Sequence, residues 1–303
     1  MKKVLLYIVL LLSAGYMGAI PPSFVHPYHT DIVVFSYDRP MQLDALLRGV
    51  KNHVTGTNKI SVIYRASGDE FSSAYSEIRK EFSTVQFLHQ KEVKDFKPLL
   101  MSAIKNTTAR YMTFVADDIV IKDDISLVDC AYWIERTGAH GYYLRLGNHL
   151  TACYPHDCSQ EVPEHTQVSG DVHRWNFADG KYDWNCPNNI DMTLYPTSYI
   201  VPLFESLSFD NPNELEAVWA AKKPQKTFGL FFEDSKIVNI PLNLVNDSQE
   251  NRNMNAFSKK ELLEKYNKGE RIDIVKFNNI KNNGAHTPYQ PTFISSEDQE
   301  VVA

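Results

Sequence analysis

The sequence predicts an α/β fold with a mostly parallel central sheet flanked by helices. Between residues 31 and 115, segments of strand composition alternate with amphipathic helical segments. Such alternation is typical of βαβ units, in which right-handed crossovers join parallel strands. A short apolar segment, Tyr111 to Val115, then leads almost directly into the acidic pair Asp117-Asp118. Because ligands of open α/β sheets bind at the carboxyl ends of the strands, this pair marks the expected site.

Length and charge narrow the range of functions. The chain has 303 residues, enough for one large domain or for two halves that share a sheet. Its formal net charge of −6 argues against a general nucleic-acid binder, which would carry a basic surplus. Four cysteines are present, and Cys153 with Cys158 could close a small loop if the chain is exported.

Residues 1–22 have the pattern of a secretory signal peptide, with an uncleaved membrane anchor as the alternative. Two lysines follow Met1, and the apolar segment from Val4 to Leu12 precedes several small residues. This order is that of a signal peptide, whereas the apolar stretch through Ile20 is just short of a comfortable membrane span. We therefore exclude residues 1–22 from the fold and expect the protein to be exported or membrane-associated.

The first half predicts four strands in alternation with three helices. β-Branched and aromatic residues favour strands at residues 31–37, 59–65, 85–88 and 111–115. Apolar residues at helical spacing predict helices that begin near Pro40, Phe71 and Phe96. Each helix would pack one face on the sheet.

The second half is less regular. We expect helices at residues 127–136 and 214–222, and strands at residues 141–146, 191–201, 227–232 and 236–240. The capping box Ser258-Lys-Lys-Glu261 predicts a last helix. Residues 148–190 are polar and predict a long functional loop, and residues 288–303 predict a flexible tail. Trp175 and Trp184 in the loop could stack on a sugar, although pinning an irregular loop is their more common use.

The acidic pair itself points to a cation. Adjacent carboxylates at the end of a buried strand repel each other and are hard to desolvate. A divalent ion that carries a diphosphate would relieve both costs, so we expect Asp117 and Asp118 to bind Mn²⁺ or Mg²⁺. A solvated turn after the strand is the alternative.

Two motifs resemble those of the GT-A glycosyltransferases, particularly bacterial family-2-like members. They are Ser36-Tyr-Asp-Arg-Pro-Met-Gln-Leu43 at the first strand–helix turn and Thr113-Phe-Val-Ala-Asp-Asp-Ile-Val120 at the acidic pair. The resemblance covers residues 31–240. It implies one catalytic domain over residues 30–287, with a Rossmann-like nucleotide-sugar half (30–136), an irregular acceptor half (137–245) and a closing segment (246–287).

The resemblance also implies the roles of individual residues. The acidic motif departs from a strict Asp-X-Asp, which leaves open which aspartate takes the metal and which the ribose. Asp118 and a late histidine, His286, are the implied metal ligands. The implied nucleotide-sugar contacts are Ser36, Asp38, Arg39, Asp69 and Asp117.

In such enzymes a carboxylate at the start of a late helix acts as the catalytic base, and the sugar is transferred with inversion. The corresponding residues here are Glu214 and Glu216. Two residues apart on a helix, they point to different sides, so only one can face the pocket. The other would then complement the helix dipole. Glu233-Asp234 is a second candidate pair for the base.

The resemblance therefore implies a hexosyltransferase-like enzyme with a nucleotide-sugar donor and a hydroxyl acceptor on a glycan, lipid or protein. Two other functions stay open. A nucleotidyltransferase would use similar acids, but no Gly-rich phosphate loop with a partnering lysine lies near the first strand. An exported sugar-binding protein would have the same fold but would catalyse no reaction.

Overall fold

A computed structural model describes residues 28–244, 252–278 and 280–298 of the chain. The predicted leader, residues 1–22, lies outside the described residues. Across these three ranges, no helix has the length and apolar character needed to cross a membrane.

Strands alternate with helices in the first part of the described chain, and several short strands follow one another in the second part. Its strands are β1 (Thr30–Tyr37), β2 (Val54–Thr55), β3 (Thr57–Arg65), β4 (Gln86–His89), β5 (Tyr111–Ala116), β6 (Ile119–Ile121), β7 (Ile125–Ser126), β8 (Tyr142–Tyr143), β9 (Ala152–Cys153), β10 (Cys158–Ser159), β11 (His165–Ser169), β12 (Val172–Asn176), β13 (Asp191–Pro196), β14 (Phe228–Phe232), β15 (Ile237–Asn239), β16 (Glu270–Ile272) and β17 (Phe293–Ser295). Its α-helices are α1 (Pro40–His53), α2 (Asp69–Glu81), α3 (Phe96–Lys105), α4 (Leu127–Thr137), α5 (Thr197–Ser206), α6 (Pro212–Ala220) and α7 (Lys259–Asn267).

Nine strands form the central sheet, in the order β11-β12-β14-β8-β13-β5-β1-β3-β4. The four strands at one end, β4, β3, β1 and β5, are parallel. Beyond them β13 runs antiparallel to both β5 and β8, and β14 runs parallel to β8. The predicted α/β class, with a central sheet flanked by helices, is confirmed.

Strand β1 shows how the sheet is buried on both faces. Its alternate residues Ile32 and Val34 pack with helices α1, α2, α4 and α7 on one side. Val33 and Phe35 pack with α3, α5 and α6 on the other. Because successive strand side chains point to opposite faces, an uninterrupted apolar strand of this kind needs cover on both sides. Strand β1 is therefore covered on both faces, and it is open to a ligand only at its carboxyl end.

An aromatic cluster supports the second half of the chain. Trp175, Trp184 and Phe231 are buried and pack edge to face against one another. The Nε1 of Trp175 donates to the carbonyl of Trp184 at 2.9 Å. Of the two uses considered for these tryptophans, the structure shows the packing one.

The prediction of a long loop over residues 148–190 was partly wrong, because part of this segment forms strands. Strands β11 and β12 form an antiparallel pair inside it, and β12 joins the central sheet through β14. Their sequences are polar because β11 lies at the edge of the sheet, where water covers much of its surface.

Two other segments also differ from the prediction. The strand expected over residues 191–201 ends at Pro196, and α5 begins at Thr197. A continuous apolar stretch hid this change, since period-2 and period-3.6 patterns look alike within it. The predicted tail contains β17, which pairs with β16. The strand expected over residues 141–146 is only Tyr142–Tyr143.

The four cysteines, all within the described residues, are free thiols. Cys153 and Cys158 face each other across the antiparallel pair β9–β10. The two cysteines considered for closing a loop are therefore neighbours in the structure, but no disulfide joins them.

Candidate active site

A cavity of about 710 Å³ lies at the carboxyl ends of β1, β3 and β5. Residues of the second half of the chain supply its opposite wall, including the first turn of α6. Six of the nine predicted site residues line this cavity: Ser36, Arg39, Asp117, Asp118, Glu216 and His286. The structure therefore brings together residues that are up to 250 positions apart in the chain.

Arg39 bridges the two acids of the predicted pair. Its Nη1 lies 3.0 Å from Asp117 Oδ1 and 3.2 Å from Asp118 Oδ2. Its Nη2 donates to the carbonyl oxygen of Asn243. Burial raises the pKa of Asp117 to about 6, and Asp118 adds to the rise, while Arg39 opposes it. The guanidinium thus lies between the buried carboxylate of Asp117 and the partly exposed carboxylate of Asp118.

A hydroxyl pair fixes the first strand–helix turn beside these acids. Ser36 Oγ lies 2.7 Å from the Tyr75 hydroxyl, which also accepts a hydrogen bond from the Arg39 backbone amide at 3.1 Å. Burial raises the pKa of Tyr75 well above its usual value, so this hydroxyl stays protonated. Helix α2 thereby sets the position of the turn that carries Arg39.

Asp118 and His286 are brought together by β15. The Nδ2 of Asn239 donates to Asp118 Oδ1 at 2.9 Å, and Asn239 forms a parallel β-bridge with His286. The backbone amide of Thr287 donates to the Asn239 carbonyl at 2.9 Å, which completes the bridge. The buried Nδ1 of His286 has no hydrogen-bond partner in the described part of the chain.

A divalent cation beside these residues would need further ligands from a bound diphosphate or from water. Across the ranges that the structure describes, no group of three or more His, Cys, Asp or Glu side chains is placed to hold a metal ion. Mg²⁺, however, is commonly held by one or two carboxylates, with phosphate oxygens and water in the remaining positions. The carboxylate of Asp118 is a ligand of that type, and His286 lines the same cavity.

Glu216 lines the cavity near a buried ion pair. Burial, followed by the charge of Asp191, raises the pKa of Glu216 to about 7, and Arg145 opposes this rise. Arg145 Nη1 lies 2.7 Å from Asp191 Oδ2 and 3.7 Å from Asp183 Oδ1. A carboxyl group with a pKa near 7 can both accept and release a proton at neutral pH.

Three predicted site residues lie outside the cavity. Glu214 is exposed at the start of α6, where its carboxylate accepts a hydrogen bond from the Asp210 amide at 2.8 Å. Of the two glutamates, only Glu216 faces the cavity, as the helical spacing required. Glu214 instead has the position expected of an acid that complements the helix dipole.

Asp38 and Asp69 have positions that support the turns instead. Asp38 has a φ of 54° and is buried; its Oδ1 accepts a hydrogen bond from the Ser67 amide at 2.8 Å. It does not cap α1, whose N-cap is Arg39. Asp69 is the exposed first residue of α2. The second candidate pair for the base also lies outside the cavity, with Asp234 3.2 Å from His149.

Several cavity residues escaped the sequence analysis. Arg145 is buried in an ion pair, whereas its sequence context had not distinguished it from a surface charge. The rim residues Tyr154, His156 and Tyr182 belong to the polar loop. Its length and composition indicated a functional segment, but no spacing within it indicated which side chains reach the cavity.

Comparison with known proteins identifies one curated relative. No protein-family model matches the chain. The sequence is 27% identical over 183 residues to the bifunctional glycosyltransferase pgtA of Dictyostelium discoideum, which is 54% of this chain and 23% of that protein. The chain thus spans about a quarter of the length of the curated relative it matches.

Solved structures show weaker similarity. The crystal structure of S. aureus TarS 1-349 has a TM-score of 0.44 at 11% identity and covers 69% of this chain and 59% of that chain. The mannosyltransferase PcManGT from Pyrobaculum calidifontis, in complex with GDP-Man and Mn²⁺, has a TM-score of 0.33 at 13% identity. It covers 43% of this chain and 36% of that chain. The chain is thus similar in sequence, over about half of its length, to a glycosyltransferase, which confirms the resemblance to a glycosyltransferase that its two motifs indicated.

Proposed function

We propose that this protein is a metal-dependent glycosyltransferase that moves a sugar from a nucleoside-diphosphate donor to a hydroxyl acceptor with inversion. The observation that carries the proposal is a single cavity that joins the acidic pair at the end of β5 with Glu216 on α6. The sequence similarity to a glycosyltransferase supports it. Donor binding and proton transfer are the two tasks that these groups can perform.

The donor would occupy the half of the cavity formed by β1, β3 and β5. Ser36, Arg39 and Asp117 lie where the nucleotide and its diphosphate would meet the strand ends. Asp118 and His286 would hold Mn²⁺ or Mg²⁺, which would neutralise the charge that builds on the diphosphate. Arg39 brings a fixed positive charge to the same place, since its guanidinium already contacts both aspartates.

Glu216 would act as the general base. Its carboxylate accepts the proton of an acceptor hydroxyl as that oxygen forms a bond to the anomeric carbon of the donor sugar. The bond between this carbon and the diphosphate oxygen breaks on the opposite face, so the configuration inverts. Because the pKa of Glu216 is raised to about 7, mainly by burial, the carboxylate is a stronger base than an exposed glutamate.

A product assay distinguishes this function from its alternatives. The protein is incubated with Mn²⁺ and a panel of nucleotide sugars and acceptors, and with nucleoside triphosphates and sugar phosphates in parallel. A glycosyltransferase releases a nucleoside diphosphate, whereas a nucleotidyltransferase releases inorganic diphosphate. A sugar-binding protein without turnover releases neither. Release of inorganic diphosphate, or no release with any donor, would contradict the proposal.

A further inference from the structure

The acceptor half of the cavity has an aromatic rim, formed by Tyr154, His156 and Tyr182. Tyr182 is 43% exposed, which is unusual for a large aromatic residue in this structure. Its ring lies 5.1 Å from that of His156, at an angle of 44°. An exposed aromatic face at a cavity mouth offers apolar area to a ligand that enters there.

The rim is held in place from below. Tyr182 begins a short 3₁₀ helix, Tyr182–Asn185, in which Trp184 is fully buried. The next side chain after Tyr182, that of Asp183, accepts a hydrogen bond from Gln160 Nε2 at 2.9 Å. The backbone at Tyr182 is thus held by two buried neighbours, so this segment needs little ordering when a ligand stacks on the tyrosine.

The floor beneath this rim is polar and predominantly acidic. Among the described cavity residues in this half, Asp183, Asp191 and Glu216 surround the single buried guanidinium of Arg145. A second arginine, Arg252, lies at the rim, where its Nη1 is 2.6 Å from Asp157 Oδ1. Such a charge balance repels an anionic acceptor such as a lipid phosphate.

The floor offers several polar groups to a ligand. Arg145 is buried there, and its guanidinium is shared by Asp183 and Asp191. The carboxylates around it can accept hydrogen bonds from hydroxyl groups. The floor therefore fits a ligand that is rich in hydroxyls and carries no charge.

We propose, on the basis of the function assigned above, that the acceptor is a neutral carbohydrate with one sugar ring stacked on Tyr182. A pyranose ring presents C–H groups on its faces and hydroxyls around its edge, which matches an aromatic face above an acidic floor. The edge hydroxyls reach Arg145 and Asp191, and one of them meets Glu216. An acceptor hydroxyl on a peptide side chain lacks such a ring and uses the rim less well.

Ligand-observed NMR tests this proposal without requiring turnover. Saturation-transfer difference spectra are recorded for the full chain with a nucleoside diphosphate and Mg²⁺, which is diamagnetic and does not broaden the ligand signals. The probes are methyl glycosides of neutral hexoses, a methyl glucuronide, a short-chain alkyl phosphate and a serine-containing peptide. We expect neutral glycosides to bind and the two anionic probes and the peptide to bind at least tenfold more weakly.

Three variants make the assignment specific. Tyr182→Ala should weaken binding of the neutral glycosides at least tenfold, whereas Tyr182→Phe should retain it, since the stacking face remains. Tyr132→Ala is the matched control, because Tyr132 is 42% exposed on α4 and does not line the cavity. Thermal melting of each variant confirms that it is folded.

The outcomes separate this proposal from the one on which it rests. Preference for an anionic or peptide probe, or equal binding of neutral glycosides by Tyr182→Ala, overturns the acceptor assignment even if sugar transfer is observed. Tyr182-dependent binding of neutral glycosides with no transfer from any nucleotide sugar supports the carbohydrate site and overturns the transferase function. Absence of binding by every probe overturns the carbohydrate site.

Discussion

Arg39 Nη1 lies 3.0 Å from Asp117 Oδ1, and both side chains are only 3% exposed. This pair joins the first strand–helix turn to the carboxyl end of β5, across 78 positions of the chain. Asp118 shares the same guanidinium at 3.2 Å. The pair therefore holds two adjacent strand ends, β1 and β5, at one edge of the sheet and shapes this side of the cavity.

Removing Arg39 should destabilise the fold. Arg39→Met leaves a buried carboxylate without its partner, and breaking a buried pair in this way costs about 3–5 kcal/mol. Urea unfolding of the metal-free protein measures the change. Arg110→Met is the control: its partner Glu135 is at 3.0 Å, but both side chains are largely exposed, and such pairs contribute at most about 1 kcal/mol. Equal stabilities for the two variants would contradict the structural role of Arg39.

Asp118 and His286 should govern metal-dependent nucleotide binding. Asp118→Asn and His286→Ala each remove a proposed ligand, so the affinity for a nucleoside diphosphate in Mn²⁺ should fall at least tenfold. Without Mn²⁺ the variants should bind nearly as the unmodified chain does. Isothermal titration calorimetry gives both affinities. Asp124→Asn, at an exposed aspartate that pairs with His53, should change neither. If all three variants bind alike in Mn²⁺, Asp118 and His286 do not hold the cation.

Because of Glu216, the folded protein should lose stability as the pH rises. Burial, followed by the charges of Asp191 and Asp118, raises its pKa to about 7 in the folded state, against 4.5 for an ordinary glutamate. The folded state thus binds the proton more tightly, and stability falls as pH increases between these two values. Glu216→Gln has no such loss, so it should be more stable than the unmodified protein at pH 8 by roughly 1–3 kcal/mol.

At pH 4 residue 216 is largely uncharged in both proteins and in both the folded and unfolded states, so the difference should become small. Melting temperatures of the metal-free proteins at the two pH values supply the comparison. A variant that is equally stable at pH 8, or less stable there, would show that the carboxylate is not desolvated.

Gly229 should tolerate no side chain. A Cβ at this position would lie 2.5 Å from Tyr143 Cε2 and 2.6 Å from Trp175 Cη2, within the aromatic cluster beneath the acceptor half. Gly229→Ala should therefore reduce stability by about 1–3 kcal/mol through overpacking. Gly68→Ala, where a Cβ meets no atom within 4 Å, serves as the control in the same urea titration. A neutral Gly229→Ala would mean that this cluster is loosely packed.

The first half of the fold was predictable because local signals and tertiary structure agree there. Leu43, Leu46 and Val50 recur at helical spacing and all pack against the sheet. The apolar strand ahead of Asp117 is buried, and its carboxyl end does open into the cavity. In such βαβ units each element follows from a short stretch of sequence.

The second half was less predictable because its structure depends on long-range contacts. Strand β12 is held by its pairing with β14, more than fifty residues later, and its own sequence gives little strand signal. Helix α5 contains Pro202, a residue that ordinarily argues against a helix interior. Similarly, Arg145 is a cavity residue only because Asp183 and Asp191 fold around it.

The candidate site shows the same division. For the base, the sequence offered Glu214 and Glu216, with Glu233-Asp234 as a second pair, and required that only one of the two glutamates face the pocket. The phase of α6 brings Glu216 to the cavity. The motif at the first strand–helix turn indicated Ser36, Asp38 and Arg39 together. Asp38 was placed outside the cavity by its own backbone, whose positive φ turns it toward the Ser67 amide.

The central claim is that Glu216 is the general base of a sugar transfer, and the turnover of two matched variants tests it most directly. Glu216→Gln and Glu214→Gln change neighbouring glutamates of one helix by the same chemistry, but only Glu216 lines the cavity. With a saturating nucleotide sugar and Mn²⁺, Glu216→Gln should transfer sugar about 10²–10⁴-fold more slowly, the usual loss for a general base. Glu214→Gln should retain nearly full activity. Near-normal transfer by Glu216→Gln would contradict the account.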